Sequence, residues 1–140
     1  MSGVTTSQAT PVASAPDLLR VAVVASVAAG LIHYAVVPEH RQEWWAAGLF
    51  FTLLGAFEIV WAAVAWFDDR SPVLWLGILA NVATLVVWTV SRTAGLPFGP
   101  EAGEPEAVGA LDVVCDLAEL AVVIVLLLAL GLRRNRPAAA

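Results

Sequence analysis

The chain has 140 residues, of which 60% are hydrophobic and only 14% are charged, and its mean hydropathy is +0.83. An ordinary soluble domain carries about 25% charged residues, so this composition excludes that class of protein. The formal net charge of −5, without a basic patch, argues against nucleic acid as a partner.

Four apolar runs occur in the sequence, at residues 18–37, 44–67, 73–91 and 108–132. Each is long enough to cross the ~30 Å hydrocarbon core of a bilayer as a helix. Lipid cannot satisfy backbone polar groups, so helices are expected in all four runs. The sequence therefore predicts an all-α integral membrane four-helix bundle within residues 17–134, with the lipid bilayer as its surroundings.

The ends of the chain differ from these runs. Residues 1–16 are rich in Ser, Thr, Ala and Pro, and we expect them to form a disordered tail. A second, short tail is expected at residues 135–140. Asp17 is predicted to cap the first helix, and Pro38 to end or kink it near Val37.

The charges and the longest connection predict the topology. Five of the seven arginines lie at the end of the bundle where the chain starts and finishes, which predicts that both termini are cytoplasmic. Residues 93–107 join the third and fourth spans and contain three Gly, three Pro and three Glu. Their apolar centre at 96–98 is unusual for a linker, so we expect an ordered outer loop that covers the helix ends.

Acidic residues occur inside two of the predicted spans. Asp112, Asp116 and Glu119 are spaced i, i+4 and i+7 on the fourth helix and so share one face, which cannot face lipid. Glu58 lies about 21 Å along the second helix, near the bilayer centre and beside a glycine stripe. His33 continues a stripe of small residues on the first helix, which directs its imidazole into the bundle.

These side chains predict a divalent metal site between the helices. The predicted ligands are imidazoles and carboxylates: His33, Asp112, Asp116, Glu119, Glu58 and His40. Glu58 is alternatively the proton acceptor of a catalytic site, and Arg92, Asn81 and Trp88 are expected to surround the ligands. Mixed nitrogen and oxygen donors favour zinc, manganese or non-haem iron over copper(I). Cys115 is expected to pack as a small apolar residue.

The same residues also have a structural interpretation. Arg92 can pair with either of the first two carboxylates of the fourth span. Glu58 can be protonated and hydrogen-bonded to Asn81 or Thr84, because burial favours the neutral carboxyl. His33 can be a satisfied packing histidine. Each interpretation is reasonable singly, whereas all of them together require several independent coincidences.

Several short stretches between residues 31 and 119 are distinctive: 32–33 (IH), 38–40 (PEH), 43–45 (EWW), 91–100 (SRTAGLPFGP) and 104–109 (EPEAVG). In these stretches the chain resembles small four-span membrane proteins of actinobacteria, a group without an assigned activity. The resemblance implies a multi-pass topology in a bacterial cytoplasmic membrane, and it implies no reaction.

Three functions fit the sequence. The first is a membrane protein that holds a divalent metal in an outward-facing pocket, with an enzymatic role on a small apolar or lipid substrate left open. The second is a proton- or cation-coupled transporter that acts as a homo-oligomer. The third is an accessory subunit whose polar face meets a partner helix in a larger membrane complex.

Overall fold

A computed structural model describes residues 14–135 of the protein, and within that range it contains helices and no strands. The helices are α1 (Ala15–Glu43), α2 (Trp45–Phe67), α3 (Ser71–Thr93) and α4 (Ala110–Arg134). Their most apolar windows have mean hydropathies of 1.9 to 2.7, and the shortest helices have 23 residues, so all four can cross a membrane. The prediction of an all-α protein with four membrane-length helices is confirmed.

The four helices run up and down as a bundle. Helix α1 packs along both α2 and α4, whereas α3 packs mainly against α4 and makes few contacts with α2. One end of the bundle, called the loop end, carries Trp44 and the α3–α4 connection at 94–109. The opposite end, called the turn end, carries the α2–α3 turn at 68–70. There Arg133 of α4 donates to Oδ2 of Asp69 at 2.6 Å, which joins α4 to the turn.

Helix α1 begins earlier than the sequence predicts. Ser14 is its N-cap, and Asp17 occupies the third helical position, where its Oδ2 accepts from the Ser14 hydroxyl at 2.6 Å. The prediction that Asp17 itself is the cap is therefore wrong, because Ser14 and Asp17 form a reciprocal capping box instead. Residues 1–13 and 136–140, which hold most of both predicted tails, lie outside the described residues.

Pro38, predicted to end or kink α1 near Val37, does not end it, and the helix continues to Glu43. A proline inside a helix removes one backbone hydrogen bond. Two side chains supply new bonds to backbone carbonyls nearby: His40 Nδ1 lies 3.0 Å from Val36 O, and Gln42 Nε2 donates to Pro38 O at 3.1 Å. Both bonds go to carbonyls other than Tyr34 O, which is the acceptor that Pro38 leaves without its usual donor, and the helix continues for a further turn and a half.

The predicted small-residue face of α1 is its contact with α2. Ala22 and Ser26 are fully buried, and Gly30 lies so close to Gly55 that a Cβ built on Gly55 would be 2.9 Å from Gly30 O. This close approach brings the polar groups of the two helices together.

The interior divides into an apolar half and a polar half. An aliphatic core fills the turn-end half, and its largest fully buried side chains are Leu74, Val122 and Leu126. There Trp61 lies between α2 and α3 and donates to Val73 O at 2.8 Å. Buried polar residues occupy the rest of the interior: Ser26, Glu58 and Asn81 lie near the middle of the bundle, and His33, Ser91 and Glu119 lie toward the loop end.

Candidate metal centre

Three side chains with metal-binding atoms meet between α1 and α4. His33 Nε2 lies 3.0 Å from Glu119 Oε1, and Cys115 Sγ lies 3.6 Å from the same Nε2 and 4.0 Å from the same Oε1. Their exposed fractions are 4%, 5% and 0% for His33, Cys115 and Glu119. We call these three residues the buried cluster. The sequence predicts a pocket open to the outside, whereas this cluster is enclosed.

The helices place the cluster by simple periodicity. Cys115 and Glu119 are four residues apart and therefore lie one above the other on the face of α4 that meets α1. His33 is one turn beyond Gly30, on the face of α1 that also carries Ala29. The Cys115 thiol lies 3.8 Å from Ala29 O, so the two helices are in direct contact at this level.

The cluster geometry suits a tetrahedral metal ion. Typical zinc bonds of about 2.0–2.3 Å to N, O and S place ligand atoms of a tetrahedron about 3.3–3.8 Å apart. The three observed separations, 3.0, 3.6 and 4.0 Å, bracket that range. Within residues 14–135, Glu119 Oε2 is buried without a hydrogen-bond partner. The residues present therefore fit an ion with one imidazole, one thiolate and one carboxylate ligand.

Four of the six predicted ligands lie outside this cluster, and two of these, Asp112 and His40, lie nearer the loop end. Asp112 Oδ2 accepts from Arg92 at 2.8 Å and from the Gly109 N–H at 2.8 Å, so it belongs to the loop end. His40 bonds to its own helix, and the ring of Phe51 lies against both histidines, with centroids 4.3 Å from His40 and 5.6 Å from His33.

Asp116 points away from the cluster, towards α3. Successive residues of a helix are rotated by about 100° about its axis. Residues 112, 115, 116 and 119 therefore all lie within one sector of α4 that is about 100° wide. Cys115 and Glu119 lie on the side of this sector that faces α1, and Asp116 lies on its other side. Its Oδ2 has no hydrogen-bond partner in the described part of the chain.

Glu58 lies deeper in the bundle and is fully buried. The Ser26 hydroxyl contacts its Oε2 and also lies 3.0 Å from its backbone O. A hydroxyl has a single proton, so both contacts are satisfied when Glu58 is protonated and donates to Ser26 while Ser26 donates to the carbonyl. The expected partners Asn81 and Thr84 bond instead to carbonyls of α3, at 2.9 and 3.1 Å. Among the described residues, Glu58 Oε1 and Asn81 Oδ1 remain without partners.

Arg92 joins α3 to the connection and to α4. Its guanidinium contacts the Glu106 carboxylate and bonds to Asp112, which agrees with the structural interpretation of Arg92 as a carboxylate partner. The Glu106 N–H also donates to Ser91 O at 3.0 Å. The connection at 94–109 is therefore fixed to the last turn of α3.

The same connection folds onto itself and onto the start of α2. Gly103 N–H donates to Leu96 O at 2.8 Å, and the ring of Phe98 lies 6.2 Å from that of Trp44, between centroids. These contacts hold the connection over the loop end of the bundle.

Cys115 is the member of the cluster that sequence reasoning missed as a ligand. Its spacing of four residues before Glu119 was the available signal, but a lone cysteine in an apolar run also fits ordinary packing. The chain matches no protein-family model, no curated protein and no solved structure. Function must therefore be inferred from the donor atoms, their burial and their charges.

Proposed function

We propose that this is a multi-pass membrane protein that holds a divalent metal ion between α1 and α4, with His33, Cys115 and Glu119 as ligands. The observation that carries the proposal is the convergence of three different donor atoms from two helices in an enclosed site. Because the donors include a thiolate, zinc or iron is favoured over manganese, which prefers oxygen ligands.

Charge balance supports a metal ion. A buried carboxylate is costly in a bundle surrounded by hydrocarbon, and Glu119 is fully buried. A dication with one carboxylate, one thiolate and one neutral imidazole forms a neutral unit. The ion thereby removes the cost of burying the separate charges. In a tetrahedral site, three protein ligands also leave one coordination position free.

We further propose that both termini are cytoplasmic and that the loop end faces outward from a bacterial cytoplasmic membrane. Of the described arginines, Arg20, Arg70, Arg133 and Arg134 lie at the turn end, and Arg41 and Arg92 lie at the loop end. This bias follows the positive-inside rule. Cys115 and Glu119 are then about 8 and 14 Å along α4 from its outer end. Large apolar side chains on the outside, such as Val24 and Leu79 at 67% and 62% exposed, would contact lipid tails.

The test is elemental analysis of detergent-purified protein, prepared without chelators and offered zinc, iron or manganese. Wild type should retain a near-stoichiometric transition metal, and His33→Ala, Cys115→Ser and Glu119→Gln should each lose it. Asp112→Asn is the matched control, because Asp112 is a carboxylate of α4 that lies outside the cluster. The proposal is wrong if wild type binds no metal, or if the control loses metal as readily as the cluster variants.

A second candidate function is proton- or cation-coupled transport by a homo-oligomer. The observation that favours it is a pair of buried atoms near the middle of the bundle, Glu58 Oε1 and Asn81 Oδ1, which have no hydrogen-bond partner within residues 14–135. The apolar core of the turn-end half argues against a path through one chain. Transport predicts that Glu58→Gln stops ion flux into liposomes, whereas the metal site predicts that this variant still binds metal.

A further inference from the structure

A metal ion can reach the buried cluster only if part of the bundle moves, because the three side chains of the cluster are at most 5% exposed. The aliphatic core closes the side toward the turn end, where Val122 and Leu126 are fully buried further along α4. The outer faces of the helices carry large apolar side chains, and a hydrated ion cannot cross them cheaply. The loop end is therefore the side from which an ion can enter.

The loop end carries an excess of negative charge. Six carboxylate side chains lie there among the described residues, against the two arginines of that end. They belong to Glu39, Glu43, Glu101, Glu104, Glu106 and Asp112. A surface on which one sign of charge dominates raises the local concentration of ions of the opposite sign. The loop end therefore attracts cations.

His40 presents a metal-binding atom at this end. Its Nδ1 lies 3.0 Å from Val36 O, and a carbonyl oxygen can only accept, so Nδ1 carries the proton of the neutral ring. The lone pair of Nε2 is then free. Within residues 14–135, Nε2 makes no hydrogen bond and is not shielded, and the side chain is only partly buried. Histidine ligands of metal ions typically donate the other ring N–H to a backbone carbonyl or a carboxylate, as His40 does here.

The two histidines lie in line along α1. They are seven residues apart, which is about 20° short of two full turns, and α1 remains helical past Pro38. His40 is therefore about 10.5 Å from His33 along the helix axis, toward the loop end. The ring of Phe51 fills this interval, because its centroid is 4.3 Å from that of His40 and 5.6 Å from that of His33. An ion that passes from one imidazole to the other must displace this ring.

We propose that His40 is the capture ligand of the metal site and that Phe51 is the gate between His40 and the buried cluster. An incoming divalent ion binds Nε2 of His40, and the ring of Phe51 then turns aside. Phe51 is only partly buried, so a change of rotamer can move its ring. The ion passes to the cluster and the ring returns, which leaves His40 outside the final set of ligands. The inference rests on the proposed metal site and adds the route by which that site is filled.

Such a route controls the rates of binding and release but not the affinity, because the capture ligand does not contact the ion in its final position. His40→Leu should slow both rates equally, by about tenfold, which corresponds to about 1.4 kcal/mol in the barrier. Phe51→Ala should speed both rates equally. Cobalt(II) is the probe, because the absorption of its thiolate complex reports arrival at Cys115. Stopped-flow mixing measures binding, and an excess of chelator measures release.

Two control variants separate the route from general effects on the fold. Gln42→Leu removes a comparable side-chain bond, to Pro38 O at 3.1 Å, but it removes no imidazole. Phe50→Ala removes the neighbouring ring, which is 42% exposed and which, in the described structure, packs on Phe51 and on neither histidine. Both variants should bind and release cobalt at the wild-type rates.

Three results would contradict the route. If the affinity is retained but His40→Leu matches Gln42→Leu in rate, or Phe51→Ala matches Phe50→Ala, the route is wrong and the metal site stands. If His40→Leu weakens the affinity and changes the cobalt spectrum, His40 is a permanent ligand instead. If wild type does not bind cobalt tightly, the metal site and its route both fail.

Discussion

The imidazole of His33 on α1 lies 3.0 Å from the carboxylate of Glu119 on α4, and both side chains are buried. The thiol of Cys115 completes a triangle with them. A hydrogen bond between an imidazole and a carboxylate needs no third group, whereas a metal ion with this geometry uses the sulfur as well. A requirement for Cys115 would therefore distinguish a metal site from a buried hydrogen bond between His33 and Glu119 alone.

Removal of the metal should destabilise the bundle. A ligand present at about 100 times its dissociation constant stabilises the folded state by about 2.7 kcal/mol. For a chain of this size we expect a chelator to lower Tm by about 5–10 °C, and added zinc to restore it. Intrinsic fluorescence during heating of the detergent-purified protein measures the effect.

Cys115→Ser provides the control for chelation. It leaves the His33–Glu119 hydrogen bond in place but replaces the soft sulfur ligand, so its Tm should no longer respond to the chelator. Asp112→Asn should respond as wild type does. An equal fall in Tm for wild type and Cys115→Ser would show that the chelator acts elsewhere.

Close packing of α1 on α2 should depend on Gly55. A Cβ at Gly55 would lie 2.9 Å from Gly30 O and 3.3 Å from the ring of Tyr34, so Gly55→Ala forces the helices apart. Overpacking of this kind costs about 1–3 kcal/mol. Gly131→Ala is the matched control, since within the described structure a Cβ there would meet nothing within 4 Å apart from its chain neighbours and the backbone of its own helix. Thermal unfolding should show a clear loss for Gly55→Ala alone, and similar Tm values for both variants would contradict the close approach.

The helices could be predicted because membrane length and hydropathy leave few alternatives. The end of α1 could not, because Pro38 normally terminates a helix. Here α1 continues past the proline to Glu43. The sequence also does not decide where α1 starts, because Ser14 and Asp17 share the capping role.

The site was predictable only in part. The spacing of the acids identified a polar face on α4, but a face about 100° wide does not show which edge meets α1. Packing decides that Cys115 and Glu119 face His33 and that Asp116 faces the α3 side. The position of His40 likewise depends on Phe51, which comes from another helix.

The conformation of the connection at 94–109 should depend on Gly95. Its φ of +72° is unfavourable for other residues, and a Cβ there would lie 2.5 Å from Glu104 N. Gly103 has a similar φ of +83° but open space around its Cβ within the described structure, so Gly103→Ala carries the backbone cost without the clash. We expect a glutamate-specific protease to cut the connection much faster in Gly95→Ala than in Gly103→Ala. Equal cutting rates would show that the Gly95–Glu104 contact does not hold the connection closed.

The turn at 68–70 should respond to acid through Asp68. Arg70 Nη2 lies 2.6 Å from Asp68 Oδ2, and the hydrogen bonds from the side chain and backbone of Arg70 hold the pKa of Asp68 below its usual value of 3.8. Because the pKa is lower in the folded state than in the unfolded state, the stabilising contribution is present above pH 3.8. It is lost as the pH falls through the folded-state pKa. The pair is exposed, so the effect on Tm should be small.

The pKa of Asp68 can be measured directly by carbon NMR titration of its carboxyl group. Arg70→Gln removes the charge and the guanidinium bonds, so the pKa of Asp68 should rise towards its usual value. Arg20→Gln is the matched control at the same end of the bundle, since Arg20 pairs with Asp17 at 3.4 Å and should leave Asp68 unchanged. If the pKa of Asp68 is the same in wild type and Arg70→Gln, the ion pair does not order this turn in solution.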